Sequence, residues 1–496
     1  MSHQSPGRLI FQHGGAMAAA SFHVNVADAA AAVSAAASSG SQQHRQQTTG
    51  ERRDDADESP TTPSTKAVFG DGIDCYGDER QMLTDQEKFY NNQVLSDIVL
   101  KVGTQRFYAH KLMLIRASDV FERMFSSEWA DPDKPEIELV EEAMCVEVFP
   151  RFLKFLYSCH VLLNVDTALP LLVLADKYNV IDLQNVCINF SHQHIIPKIQ
   201  LKDVFHVWFQ YATKCYHHKL ISASVAALSD TMLSAEWEQE WTNLEQEQLM
   251  EFVRSSNLII KDEYELWEGV LKWLQASAHP DRMVKMETHL RAILPHVRFP
   301  MMTADHLSDI QKSRLYELYP LEFQPYIMLA YKFHALSLTS RATAKEFTTE
   351  AFLLRNYTNL RWDKRLVITD YPTSQKSSEV TLRFTTRSSS LPTTTWEWEL
   401  RVNLKFNKLT SSEDFMRLKS TNLILDQARP IEFLLSVVDN EHVITTVTGK
   451  KNFCKNKYMV DTEIDKKLPV QELTSPDSEY LVNGSLILQI TLKPVS

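Results

Sequence analysis

Apolar residues fall on alternate positions between Asp97 and Val102, and Ile98, Leu100 and Val102 therefore share one face of a predicted strand. Gly103-Thr104 supplies a turn, and 106–109 returns as the second arm of a hairpin. Ser118 then occupies an N-cap position, with Phe121, Met124 and Phe125 on one side of the helix that follows. Glu136 to Leu139 reads as a further strand. Val146 to Ser158 and Asp166 to Tyr178 read as helices whose Phe149, Phe152, Leu153 and Leu156, then Leu171, Leu172 and Leu174, recur at mostly helical spacing. Ahead of the first strand, Thr84-Asp85-Gln86-Glu87 has the form of a capping box and predicts the start of a short helix.

From Leu183 to about 310 the pattern stays helical, with apolar stripes over 204–211, 244–254, 263–274 and 283–294. From about 345 the period changes to two. Strands are predicted over 365–369, 380–385, 395–404, 422–425, 431–438, 443–447 and 486–492, separated by Ser, Thr, Asp, Asn and Pro, which indicates a β-sandwich. In 395–404, Trp396, Trp398, Leu400 and Val402 face one way and Glu397, Glu399, Arg401 and Asn403 the other, the pattern of a strand with one side in water. Residues 1–78 are dominated by Ala, Ser, Gln, Gly and Thr, with too few large apolar residues for a core, and read as disordered. The expected division is 1–78 disordered, 79–182 and 183–312 as two domains, 313–344 as a helical connector and 345–496 as the sandwich.

A chain of 496 residues is too long for one ordinary domain. Its 44% hydrophobic and 23% charged residues are ordinary for globular protein. The net charge of -11 argues against a nucleic-acid partner, which leaves a basic footprint, and no apolar run is long enough to span a membrane. His23, Asn25 and Asp28 interrupt the small apolar stretch at 17–20, so no secretory signal is expected. The six cysteines are scattered and fit reduced thiols in a cytosolic or nuclear protein, the cytoplasm being the expected compartment, although an even count also suits disulfides in a secreted one. Asn189, Asn356 and Asn483 open N-x-S/T sequons, which a long chain acquires by chance.

The stretch from Leu95 to Glu138 resembles the BTB/POZ domain, carried by Asp97 at the strand start, Phe107-Tyr108-Ala109-His110-Lys111 at the turn, and Ser118, Phe121, Met124 and Phe125 in the next helix. The helical part resembles the BACK domain through Ser255-Ser256-Asn257-Leu258, Glu263, Trp273-Leu274, Arg282, the string Ile293-Leu294-Pro295-His296-Val297-Arg298-Phe299-Pro300, and Leu307. The Kelch repeats of many such proteins are missing: 345–496 holds no Gly-Gly doublet and no fifty-residue period. Ile431 to Asp439 and Tyr480 to Leu488 resemble strands of TRAF/MATH domains instead, with Asn356-Tyr357 and Trp362 at the sandwich's start. The resemblance implies a multidomain α+β chain: an α/β BTB/POZ domain, an all-α BACK domain and a C-terminal TRAF/MATH-like antiparallel β-sandwich.

It also implies a protein-recruiting adaptor, not an enzyme: a homodimer through BTB that docks Cullin-3 in a RING ubiquitin ligase and holds an unidentified protein client on the sandwich. Adaptors of this kind carry a hydrophobic-x-Glu motif after the BTB helix. Here Phe125 precedes Trp129-Ala130-Asp131, with Asp for Glu and hence a carboxylate about one methylene nearer the backbone. Cullin contact is set ahead of a solvent-facing loop whose Trp129 covers the core. Asp97 is either part of a pocket at the dimer surface or a buried, paired structural residue; His110 and Lys111 are expected to serve hydrogen bonding at the turn. His192-Gln193-His194 and His217-His218 have no acidic or cysteine partner at ligand spacing, so no metal is expected. No catalytic constellation and no cofactor motif occurs. The competing function is a non-ligase BTB scaffold, or a secreted protein of the galectin-3-binding-protein kind.

Overall fold

Gly103, at φ +56, closes β1 (Ile98–Val102) onto β2 (Gln105–Ala109) through a two-residue turn, and β3 (Glu136–Leu139) pairs in parallel along the other edge of β1. The computed structural model describes residues 76–126, 136–369, 379–387, 395–403, 416–421, 429–453, 458–459, 470–473, 478 and 480–495. The expectation of disorder over 1–78 lies almost wholly outside them. The alternation expected in the first strand is observed: Ile98, Leu100 and Val102 are buried, in a core shared with Phe107, Leu114, Phe121, Phe149, Phe152 and Leu171.

Helices pack around this sheet: α1 (Glu79–Glu87), α2 (Lys111–Ala117), α3 (Asp119–Ser126), α4 (Ala143–Ser158), α5 (Val165–Lys177) and α6 (Ile181–Phe190). Ser118 caps α3 as expected, its Oγ accepting from Phe121 N at 3.2 Å while donating to the Tyr178 carbonyl at 2.5 Å. The capping box at Thr84 does not form. The carboxylate of Asp78 accepts from Arg80 N and Gln81 N at 2.9 and 3.1 Å and starts α1 earlier, a better cap than threonine. Thr84 sits inside the helix with its hydroxyl donated back to Arg80 O at 2.8 Å.

The helical region includes α7 (Gln246–Arg254), α8 (Glu263–Leu274), α9 (Met286–Ile293) and α10 (Pro320–Ala335). Buried Trp241 donates Nε1–H to the Gly269 carbonyl in α8 at 2.8 Å; a Cβ on Gly269 would lie 2.5 Å from the Leu233 side chain, so close approach demands glycine there. Arg282 lies over Trp273 at 3.9 Å and donates to the carbonyls of Thr242, Trp273 and Leu244, all within 2.9 Å.

A buried ionic node organises the next part of the chain. Glu263, fully buried, receives Arg355 Nε at 3.0 Å and Nη2 at 3.1 Å, Arg298 N at 2.9 Å and the Tyr357 hydroxyl at 2.7 Å. Arg355 also donates to the Ser255 and His296 carbonyls, and the Arg298 guanidinium to Leu353 O, Arg254 O and Ser256 Oγ. Burial opposes the charge on Glu263, but the Arg355 guanidinium and the Arg298 contacts hold its carboxyl below the ordinary value of 4.5. Burial pushes Arg298 down to about 9.

This node moves the start of the sandwich. β5 (Asn356–Tyr357) pairs in parallel with β4 (Ile259–Ile260), and Phe347, Phe352, Leu354 and Tyr357 belong to the helical core. Asn356-Tyr357 therefore does not open the sandwich, because Glu263 draws Arg355 and Tyr357 to the helices. Trp362 does stand at its start, packed edge-on against Trp396 with β6 (Asp363–Ile368) directly after it.

The sandwich strands are β7 (Glu379–Arg387), β8 (Thr395–Asn403), β9 (Met416–Ser420), β10 (Arg429–Val438), β11 (Val443–Phe453), β12 (Tyr458–Met459) and β13 (Leu486–Pro494). Two four-stranded antiparallel sheets, ordered β11-β10-β13-β6 and β12-β9-β8-β7, enclose a core of Trp396, Trp398, Leu400, Val402, Leu435, Val437, Leu488 and Ile490. Glu399 keeps the expected face, opposite Trp398 and Leu400, but is not in water. It is buried, paired with Arg401 Nε at 2.9 Å and Arg383 at 3.4 Å, because its position on a central strand places it beneath flanking arginines. β9 was not anticipated; the strand expected at 422–425 lies outside the described residues.

Arg355→Met should cost about 3–5 kcal/mol in denaturant unfolding, because it strands a buried carboxylate. The Glu263 contribution is complete above its ordinary pKa and is lost as the pH falls through the lower folded value. Wild-type stability should therefore drop at acid pH, and a variant as stable as wild type would show that the pair contributes nothing.

Candidate functional site

The connection from α1 to β1 is held in a shape that its sequence does not favour. Asn91 and Leu95 both adopt left-handed backbone, at φ +46 and +58; asparagine tolerates this, while leucine bears a cost of about 1–2 kcal/mol. Asn91 Oδ1 accepts from Tyr108 N at 3.0 Å, fastening the connection to β2. His110 fastens it again, with Nε2 2.8 Å from the Val94 carbonyl and Nδ1 3.0 Å from the Tyr157 hydroxyl. A carbonyl only accepts, so Nε2 carries the hydrogen. The Tyr157 hydroxyl then donates to Nδ1 while receiving the His110 backbone N–H, also at 3.0 Å.

Asp97 is exposed rather than buried, yet it is paired: Oδ1 accepts from Lys111 N at 2.8 Å, joining the start of β1 to the first residue of α2. The Lys111 ammonium lies 5.9 Å from the Phe125 ring centroid, and Phe125 stacks on Phe121 at 5.8 Å. The structure thus links Asp97, Lys111 and Phe125 through successive contacts, with His110 beside them. Trp129 and Asp131 lie outside the described residues. The hydroxyl of Tyr157 and the side chain of Asn91 were missed by sequence reasoning, because a lone tyrosine inside a helix or an asparagine in a loop carries no local signal.

This framework displays apolar side chains. Leu95 is 81% and Leu112 77% exposed, and Met82, Phe89, Val94 and Tyr108 are exposed as well. Below them the chemistry is quiet: burial pushes Tyr157 up to about 12, Cys145 to about 11 and Cys187 to about 12, so these groups stay protonated at neutral pH and pack or hydrogen bond. His192 and His194 lie in a π-helical turn, Ser191–Ile195. The expectation for His217 is corrected: Asp176 and Cys215 both converge on it, brought together by the fold and not by spacing from the aspartate.

A family model for the BTB/POZ domain matches residues 86–195, and one for the BACK domain (BTB And C-terminal Kelch) matches 204–312. The chain carries a BTB/POZ domain followed by a BACK domain. BTB/POZ domain-containing protein 17 of Xenopus laevis is 26% identical over 430 residues, covering 82% of this chain and 88% of the relative. Its human counterpart is 28% identical over 57% of this chain and 58% of its own. Kelch-like protein 26 of Mus musculus is 25% identical over 56% of this chain and 45% of its own. The BTB domain of zebrafish PATZ1 aligns with 27% of this chain and 99% of its own at 23% identity and a TM-score of 0.20, too low to bear weight. Asp97, His110, Lys111 and Phe125 lie in the BTB domain; Glu263, Arg282 and Arg298, quoted above for their resemblance, are the buried polar anchors of the BACK domain.

Tyr157→Phe should remove the hydroxyl that serves both His110 groups and leave the His110 N–H unsatisfied. A loss of about 1–3 kcal/mol is expected in urea unfolding, together with faster amide exchange in 88–97; unchanged exchange there would show that His110 does not hold the connection.

Proposed function

We propose that this chain is a homodimeric adaptor that joins a protein client to Cullin-3 in a RING ubiquitin ligase. The observation that supports it most is the exposed apolar surface of the BTB domain around Phe89, Val94, Leu95 and Leu112. Leucine held in left-handed backbone at a solvent-exposed position suits a surface shaped for a partner and not for water. A second copy of the chain is the occupant, as BTB domains typically dimerise. Phe125 leads into the segment with Trp129 and Asp131, which would present an aromatic anchor and a carboxylate to the cullin. The C-terminal sandwich is the client-holding part. Among the described residues β7 has a free edge, with Thr381, Arg383, Thr385 and Arg387 exposed along it, and an extended peptide can add to such an edge. Ubiquitin transfer would be the work of other subunits. We place the adaptor in the cytoplasm.

One observation favours the secreted scaffold: the sequon residue Asn483 sits exposed in a turn at φ +49, a place that accommodates a glycan. A glycosidase-sensitive shift of the protein recovered from culture medium would select that reading.

Light scattering of the full chain should give about twice the 57.1 kDa of one copy. Leu95→Asp should yield a folded monomer, since aspartate suits left-handed backbone better than leucine and a charge is costly in an apolar interface. A monomeric wild type at micromolar concentration would refute dimerisation.

In a quantitative pulldown, Trp129→Ala should weaken Cullin-3 binding by roughly 2 kcal/mol, about thirtyfold, while Asp131→Glu should leave it unchanged or improve it. No capture by the wild type, where a Kelch-type adaptor captures the cullin, would sink the ligase assignment.

A further inference from the structure

We propose that Asp176, Cys215 and His217 form a zinc site that clamps the BTB domain to the BACK domain. Asp176 lies in α5, within the BTB match, whereas Cys215 and His217 lie within the BACK match. One ligand atom from each residue (carboxylate oxygen, Sγ and an imidazole nitrogen) lies within 4.8 Å of the other two. Sequence proximity alone does not produce this convergence. The helix Gln210–Cys215 ends on Tyr216 at φ +57, and this left-handed residue reverses the chain so that side chains two positions apart both meet Asp176. Glycine would adopt that backbone freely; a tyrosine there is strained.

The donor set selects the ion. Thiolate, imidazole and one carboxylate are zinc ligands, and the sulfur and nitrogen disfavour magnesium and calcium. Tetrahedral zinc with bonds of about 2.0–2.3 Å places its ligand atoms about 3.3–3.8 Å apart. His217 Nε2 stands 2.8 Å from Asp176 Oδ2, so closing the site needs shifts of about an ångström from side chains that are partly buried but reachable from solvent. The outer contacts are already in place: the Tyr211 hydroxyl donates to Asp176 and fixes its carboxylate, leaving a fourth position for water.

The protons balance. Binding releases the Cys215 thiol proton to solvent as the Zn–S bond forms. The imidazole proton passes from Nε2 to Nδ1 as Nε2 takes the metal. Affinity therefore rises with pH. Because the ligands come from two domains, bound zinc cross-links the joint and stabilises the folded chain by mass action.

The test uses the full chain, stripped with a chelator and titrated with Co2+ as a spectroscopic probe, then with Zn2+. The expected result is about one metal per chain, a thiolate-to-cobalt charge-transfer band with tetrahedral d–d bands, displacement of both by zinc, and a zinc-dependent rise in Tm. Cys215→Ser should lose the charge-transfer band, and His217→Gln should weaken binding about tenfold or more, with circular dichroism unchanged in each. Should one variant fail to fold, the other decides together with the wild-type spectrum. A wild-type cobalt spectrum without a thiolate band would overturn the proposal. So would the same band in the folded variants, which would place the metal on another thiol such as exposed Cys159.

Discussion

The Glu263–Arg355 pair is the contact on which the C-terminal half of the chain depends. Both side chains are at 0% exposure, so neither charge has water to fall back on. The carboxylate is saturated by Arg355, the Arg298 backbone and the Tyr357 hydroxyl, and the two guanidinium groups spend their remaining hydrogens on carbonyls of Leu353, Arg254, Ser255 and His296. Such a pair gives little net stability against an apolar replacement, but it is strict about geometry. The observed placement of 353–357 satisfies every one of these groups. That placement sets β5 beside β4 and leaves about five residues before β6 begins, so the BACK domain fixes where the sandwich starts.

The fold was legible wherever order is local. The first hairpin, the Ser118 cap and strand β8 follow from spacing and turn chemistry, which act over a few residues. Errors arose where distant residues intervened. Asn356-Tyr357 looks like a strand entering a sandwich until Glu263, more than ninety positions earlier, claims its neighbour Arg355. Glu399 alternates like a surface residue, yet it is buried and paired with Arg401 on its own strand and with Arg383 on β7, and the contribution of the adjacent strand is invisible to a single-strand pattern. Thr84 failed as a cap because Asp78, six residues upstream, does the same work with a charged acceptor.

The BTB surface was legible in part for a related reason. Asp97, His110 and Lys111 flank the first hairpin, and the structure turns each into a fastening: Asp97 to the α2 backbone, His110 to the Val94 carbonyl, Lys111 over Phe125. Their common product is a connection that exposes Val94 and Leu95. No pattern in 88–97 announces that these two residues face outward, since the connection is held by hydrogen bonds from Tyr108 and His110, which lie beyond the first strand. A polar motif can thus be read correctly as structural and still be what creates an interaction surface.

The two domain joints divide the mechanical work differently. Between BACK and sandwich, charge is buried, fully satisfied and independent of any outside species; only acid reaches it, through the depressed carboxyl of Glu263. Between BTB and BACK, Asp176, Tyr211, Cys215 and His217 are partly buried and remain within reach of solvent, ions and protons. These groups form hydrogen bonds in the metal-free chain and, under the zinc proposal, would supply the donor set, so this joint, unlike the sealed node, is open to an outside species.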